Sequence, residues 1–252
     1  MKILFWNIWT ENQTNNYSRL DELKAELENI INKHQPNIIG LNEVVRFGNK
    51  ASDVEKLVES LGYKNIHYCK IGPIGTNSTT GSIVASKIHN LKIQELIIGD
   101  NITAKNNGYG DHKTKVIKAS FKINAHDRID LFVVHPINLK PSTALEHFRQ
   151  IKQLKELVSE SQDSLSIVGG DFNEPRVYPL SFTILTNKFL KFKTGSILKP
   201  TWIYNAAKLS PLRFNLDKIF WTKSPRIEMS KFEVIDSKVS DHRPLIATFE
   251  IK

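Results

Sequence analysis

The sequence predicts a mixed α+β sandwich, and three features of the 252-residue chain point to it. Short apolar runs of strand length recur from one end to the other. A few longer segments carry helical periodicity. Neighbouring strand runs follow one another as hairpins that need no crossover helix. In order, residues 3–8 read as a strand. Residues 19–34 read as a helix, because Leu20, Leu23, Leu27, Ile30 and Ile31 share one face and Pro36 stands just beyond its end. Residues 37–41 form a short buried strand. Residues 52–61 form a second helix, opened by the capping box Ser52-x-x-Glu55 and closed by Gly62. Strand runs follow at 82–86, 92–98, 115–123 and 129–134. Residues 143–159 form the longest helix, again with a capping-box pattern, Thr143-x-x-Glu146. Runs at 165–168, 216–221, 231–235 and 245–251 complete the set. Two polar stretches, 99–114 and 199–215, have the length at which loops in a compact domain are often functional. No repeat or low-complexity linker divides the chain, so residues 1–252 are expected to form a single domain.

Composition narrows the class. A chain this long buries a sizeable core without a disulfide or a structural metal. Its one cysteine, Cys69, excludes a disulfide framework and suits a reducing compartment, so a cytoplasmic location is expected. Cys69 lies in the strand-like stretch 66–71 and reads as a small buried hydrophobe. The apolar start, residues 3–9, is interrupted by Asn7 and lacks a cleavage site, and no apolar run reaches membrane-spanning length. The formal charge of +9, from 35 basic and 26 acidic residues, favours a polyanionic partner, although a lysine-rich proteome produces the same excess. A monomer is expected.

The informative pattern is a hydrophobic strand that stops where a metal-competent residue begins. It occurs at Asn42-Glu43, at His135, at Asp171-Phe172-Asn173 and at Asp241-His242, while Asp217 sits inside the apolar run 216–221. Any one of these is more often a turn residue or a cap. A buried carboxylate nevertheless wants a partner or a cation, and five such places make coincidence a poor account. Hard oxygen ligands without cysteine favour Mg²⁺, Mn²⁺ or Ca²⁺ over structural zinc. Histidines at strand ends can donate to a phosphate oxygen or move a proton. The glycines at 72, 75 and 81 are too irregular for a phosphate-binding loop.

These stretches resemble the endonuclease/exonuclease/phosphatase superfamily, the DNase I-like fold. The resemblance rests on Phe5-Trp6-Asn7-Ile8, Gly40-Leu41-Asn42-Glu43, His135, Gly169-Gly170-Asp171-Phe172-Asn173, Asn215 to Phe220, and Ser240-Asp241-His242-Arg243-Pro244, which run in the family's order along nearly the whole chain. Asn42 stands where the family usually has glutamine. The resemblance implies a four-layer α/β/β/α sandwich with two mixed β-sheets face to face and a common site at one edge. It implies a Mg²⁺-dependent phosphoesterase, with Mn²⁺ as a substitute. Glu43 is then the principal metal ligand, with Asn7 and Asp241 beside the ion. Asp171 and Asn173 position or activate the attacking water, Asp217 and His135 serve the phosphate and leaving group, and His242 contacts the scissile phosphate. Either Asp171 or His242 could be the base.

Substrate residues are sought in the second long loop, where Trp202 neighbours Lys208 and Arg213, an aromatic-basic mixture expected of a nucleic-acid groove. Lys115 is added as a groove cation, although strand-edge lysines also serve simply to discourage sheet pairing. Trp6, Trp9 and Trp221 read as core. His34, His67, His89, His126 and His147 show no acidic partner pattern and are assigned no chemistry. The leading expectation is a nuclease acting on DNA or RNA. The alternative is a phosphatase or phosphodiesterase acting on a small phosphoester, phosphoinositide or phospholipid head group. A fold that kept its shape and lost its chemistry is disfavoured by the intact residue set.

Overall fold

The computed structural model of the protein describes residues 1–9, 17–74, 77–102, 112–123, 127–161, 164–174, 180–186, 190–196, 199–204 and 212–252. One sheet comprises β1 (Lys2–Asn7), β2 (Ile38–Phe47), β3 (Asn65–Ile74), β4 (Ser78–Ser86), β13 (Ile227–Val234) and β14 (Leu245–Ile251), in the order β13-β14-β1-β2-β4-β3. The other comprises β5 (Lys92–Asp100), β6 (Lys113–Lys122), β7 (Arg128–Val134), β8 (Leu165–Asp171), β9 (Leu190–Thr194) and β12 (Asp217–Thr222), in the order β5-β6-β7-β8-β12-β9. A separate hairpin pairs β10 (Trp202–Tyr204) with β11 (Leu212–Phe214). Helices α1 (Tyr17–His34) and α2 (Asp53–Ser60) cover the first sheet, and α3 (Ala144–Ser159) and α4 (Leu180–Leu185) cover the second.

The layering explains why the central strands read as unbroken apolar runs. Ile3 and Phe5 of β1 face the other sheet, where Leu131, Ile167 and Ile219 meet them, while Leu4 and Trp6 face Leu23, Leu27 and Val54 of the helices. On the far side Phe132, Val168 and Phe220 pack under Ile151, Leu154 and Leu185. With both faces of each sheet covered, neither alternate position is free to be polar, and each fully buried Leu, Ile or Phe contributes roughly 1.5–3 kcal/mol.

The sheets pack tightly just below the strand ends that matter. Phe5 lies beside Gly40 and reaches across to β8, where a Cβ on Gly169 would stand 2.3 Å from the Phe5 ring. Only glycine leaves room there. Gly170 follows with φ +138°, which L side chains rarely adopt, so the Gly-Gly pair before Asp171 is a requirement of packing and backbone together.

Several expected elements differ. Strand β2 does not end at Leu41; a register shift between Leu41 and Val44 carries it past the site to Phe47. That bulge places Glu43 at φ +57°, an uncommon conformation for a side-chain-bearing residue, and turns its carboxylate out of the ladder. The Ser52–Glu55 capping box forms in both halves. The Thr143 box does not: the Thr143 hydroxyl bonds the Asn138 carbonyl and receives the Lys140 N–H, and Glu146 accepts instead from the Asp100 N–H at 2.9 Å. The tertiary partner outcompetes the local cap. The 199–215 stretch, read as a loop, contains β10 and β11, and α4 and β9 were not anticipated. Residues 103–111 and 205–211, Lys208 among them, lie outside the described set, as do the side chains of Ile203, Tyr204, Leu212 and Arg213.

Candidate active site

Topology alone gathers the candidate residues. Strands β1 and β2 run parallel, with Asn7 level with Asn42; β7 and β8 run parallel, with Val134 level with Gly170. Strand β12 runs against β8 with Asp217 directly opposite Asp171, and β14 runs against β1 so that its start, just after Asp241-His242, also lies at this end. Residues separated by up to 236 positions therefore share one edge of the sandwich, as the Trp6 indole N–H to His242 carbonyl bond of 2.9 Å shows.

Two groups of side chains meet there. Ligand atoms of Glu43, His135 and Asp171 lie within 4.8 Å of one another, and so do those of Asp171, Asp217 and His242. Asp171 belongs to both. The Asn7 amide nitrogen donates to Glu43 at 2.9 Å and to Asp171 at 3.0 Å, while its oxygen accepts the Trp9 N–H. Asn7 thus fixes two carboxylates and turns its donor toward the centre. His135 Nε2 stands 3.3 Å from Glu43 Oε1 and 3.7 Å from Asp171 Oδ2.

His242 and Asp217 form a buried pair, Nδ1 to Oδ2 at 2.8 Å, and His242 Nε2 faces Asp171 at 3.6 Å. Burial alone would lower the His242 pKa, but the carboxylates of Asp217 and then Asp171 outweigh it and raise it to about 10. Asp171 is held below the usual carboxylate range: burial pushes it up, and His242, His135, the Asn173 N–H and Asn7 together push it further down. Glu43 is likewise lowered against burial by His135 and Asn7, and His135 is raised against burial by Glu43 and Asp171. Burial raises Asp241.

One consequence is measurable in stability. His242 titrates near 6.5 when unfolded and about 10 when folded, so its stabilisation is complete below pH 6.5 and is lost as pH rises toward 10. In the presence of chelator, the melting-temperature gap between wild type and His242→Asn should shrink steadily across that window. A gap independent of pH would contradict the His242–Asp217 ion pair.

Other residues fall around this centre. The Asn173 N–H bonds Asp171 Oδ1 at 2.7 Å, its φ is +55°, and its side-chain nitrogen donates to the Pro136 carbonyl at 3.0 Å, tying the loops after β7 and β8 together. Asp241 belongs to neither close group; its Oδ2 accepts the Trp202 indole N–H at 2.8 Å. Trp202 also stacks on Phe214, centroids 5.6 Å apart, and bridges to His242 through the backbone. Lys115 ion-pairs with Glu95 at 2.8 Å and lies on β6 two residues before its first rung with β7, Ile117 opposite Val133.

Sequence reasoning missed several supports. Asn42 donates to Ser82 at 2.8 Å and accepts the Asp171 N–H at 3.2 Å, linking the two sheets beneath the site. The Thr201 hydroxyl receives the Asp217 N–H at 3.0 Å. His147, assigned no chemistry, is fully buried against Glu174 at 3.0 Å, and His67 meets Glu95 at the same distance. The one available signal was Lys218, a second charge beside Asp217 in a run of apolar residues.

A sequence profile of the Endonuclease/Exonuclease/phosphatase family matches residues 4–242, and the chain belongs to that family. It is therefore an enzyme of the class that hydrolyses phosphoester bonds. Solved structures share its fold. An endonuclease/exonuclease/phosphatase family protein from Leptotrichia buccalis has a TM-score of 0.72 at 17% identity, covering 100% of both chains. D. rerio TDP2 complexed with single strand DNA product has a TM-score of 0.68 at 15% identity, covering 99% of this chain and 98% of that one. ANGEL2, a 2',3'-cyclic phosphatase, has a TM-score of 0.70 at 13% identity, covering 98% and 94%. No curated protein sequence matches the chain significantly.

The residues present fit a divalent cation of the kind on which the family generally depends. Glu43, Asp171, Asp217 and Asp241 supply more carboxylate than His135 and His242 can balance, and the buried His135 Nε2 makes no well-formed hydrogen bond among the described residues. Oxygen donors dominate, and no cysteine is near.

Proposed function

We propose that the chain is a Mg²⁺-dependent phosphodiesterase, a nuclease that hydrolyses phosphodiester bonds in DNA or RNA. The observation that carries this is the convergence of Glu43, Asp171, Asp217 and His242, with His242 placed between the carboxylates of Asp217 and Asp171. Glu43 would hold the ion, with Asp241 beside it and Asn7 orienting the carboxylates. A bound Mg²⁺ supplies charge neutralisation for phosphate oxygens as the transition state forms. A protonated His242 offers N–H donors and no lone pair, so it serves a non-bridging phosphate oxygen, and the base role goes to Asp171. Asp171 takes the proton from water as the new O–P bond forms, Asn173 sets the water's direction, and the ester P–O bond breaks as His135 gives the departing oxygen a proton, with Asp217 also serving the phosphate. Asp217 also holds the His242 ring in place.

Three observations support nucleic acid as substrate: the +9 charge, the Trp202–Phe214 aromatic pair beside Asp241, and the fold shared with a protein solved with single strand DNA product. The proposed groove cations are Lys115, Lys208 and Arg213. Binding to a labelled oligonucleotide, measured with Glu43→Gln protein in chelator, should weaken steeply with salt. Lys115→Ala should flatten the slope of log affinity against log salt by about one unit. Trp202→Ala should weaken single-strand binding by roughly 1–3 kcal/mol with little change in that slope. The fold shared with a 2',3'-cyclic phosphatase favours a second reading, hydrolysis of a small phosphoester. Rapid turnover of such a substrate, with salt-independent or absent oligonucleotide binding, would make the second reading the correct one.

A further inference from the structure

Beneath the site, on the face of the second sheet covered by α3 and α4, lies a second cluster of charged groups that the reaction does not use. Lys218 alternates with Asp217 along β12, so Asp217 points to the site and Lys218 to the opposite face, where it is 1% exposed. Its ammonium donates to the Leu216 carbonyl at 3.2 Å and to the Glu174 carbonyl at 3.4 Å, and stands 3.5 Å from Glu174 Oε2. It lies over the Phe172 ring, 5.3 Å from its centroid. The Glu174 carboxylate, itself fully buried, also receives the Ser181 hydroxyl at 2.6 Å and the Ser181 N–H at 2.9 Å. His147 on α3 closes the cluster, with Nε2 on Glu174 at 3.0 Å and Nδ1 on the Ile137 carbonyl at 2.6 Å.

We infer that Lys218, Glu174 and His147 form a positioning lock that holds the loop after β8 against the start of β12 and so keeps Asn173 and the Asp171 side chain in place beside Asp217. The inference rests on the phosphoesterase reading for its catalytic consequence. The carbonyls that Lys218 holds flank the two functional segments: Leu216 immediately precedes Asp217, and Glu174 immediately follows Asn173. The same segments are joined once more by the Phe172 N–H to the Leu216 carbonyl at 3.0 Å, a bond across which Asp171 and Asn173 must keep their place. Ser181 lies in the first turn of α4 and His147 belongs to α3, so the lock also ties the loop to both covering helices. Burying a lysine and a glutamate is costly unless each is paired and hydrogen-bonded, and here each has several partners. Burial pushes the Lys218 pKa down, while Glu174, Asp171 and Asp217 oppose that, so the lock's cation also bears on the two site carboxylates.

Lys218→Met removes the charge and keeps most of the volume. Glu174→Gln keeps the shape and is the milder variant should Lys218→Met fold poorly. Asp130→Asn is the control: it disrupts another ion pair of the same sheet, buried Asp130 with half-buried Lys118 at 3.0 Å, near the opposite end of β7. Per folded molecule, kcat should fall roughly 10–100-fold in the two lock variants with KM within about twofold of wild type, and Asp130→Asn should lower the melting temperature without that fall. Amide exchange at Phe172 should accelerate at least roughly tenfold in the lock variants while the central strands stay protected. Wild-type kcat in both lock variants, a fall no larger than that of Asp130→Asn, or unchanged Phe172 protection would overturn the proposal. If wild type hydrolyses no phosphoester, the functional reading fails, and the exchange measurement still decides whether the lock exists.

Discussion

Glu43→Gln is expected to reduce turnover by at least roughly 10³-fold while leaving the protein folded. Glutamine keeps the length and the hydrogen-bonding outline of glutamate, so the bulge that sets Glu43 at φ +57° has no new strain to absorb. What disappears is the negative charge, which His135 and Asn7 stabilise at the mouth of the site. Folding stability should change by no more than about 1 kcal/mol, because the substitution also relieves the crowding of buried carboxylates. Circular dichroism and a steady-state assay in Mg²⁺ measure both. Near-normal activity would remove Glu43 from the role of metal ligand.

The second large effect concerns Asp171, Asp217 and His242. Each alanine variant should lose several orders of magnitude in kcat, and double variants should lose little more, because groups that act as a unit are strongly non-additive. The geometry supplies the reason: His242 spans the two carboxylates, at 2.8 Å from Asp217 and 3.6 Å from Asp171. Removing Asp217 frees the ring to turn, and removing Asp171 leaves a positioned donor with no base beside it. Additive losses across the three would mean that they act in separate steps.

Much of this was legible in the sequence for a physical reason. A strand end where an apolar run meets a carboxylate or histidine is a local pattern, and His135 and Asp171 show it; Glu43 instead sits on a bulge within β2, and Asp241-His242 follow no strand but precede β14. The strands themselves announced their burial through unbroken apolar runs. What could not be read was whatever depends on tertiary competition. Thr143-x-x-Glu146 has the letters of a capping box, but Glu146 finds the Asp100 N–H across the fold and the box does not form. Strand β2 continues past its carboxylate because a bulge lets β4 pair on both sides of it. The link from Trp202 to Asp241 joins residues 39 apart, and the Lys218–Glu174–His147 cluster joins three elements, so neither leaves a mark in any short window. A lysine beside Asp217 in a run of apolar residues was the one visible trace.

The central claim is that a divalent cation, held by this edge of the sandwich, is needed for hydrolysis. Its most direct test is the rate of phosphodiester cleavage by wild-type protein stripped with chelator and then titrated with Mg²⁺, with folding followed in parallel. The expected result is no detectable cleavage in chelator by a fully folded protein and saturable recovery with Mg²⁺, which Glu43→Gln does not show. Cleavage that continues unchanged in chelator would contradict the account.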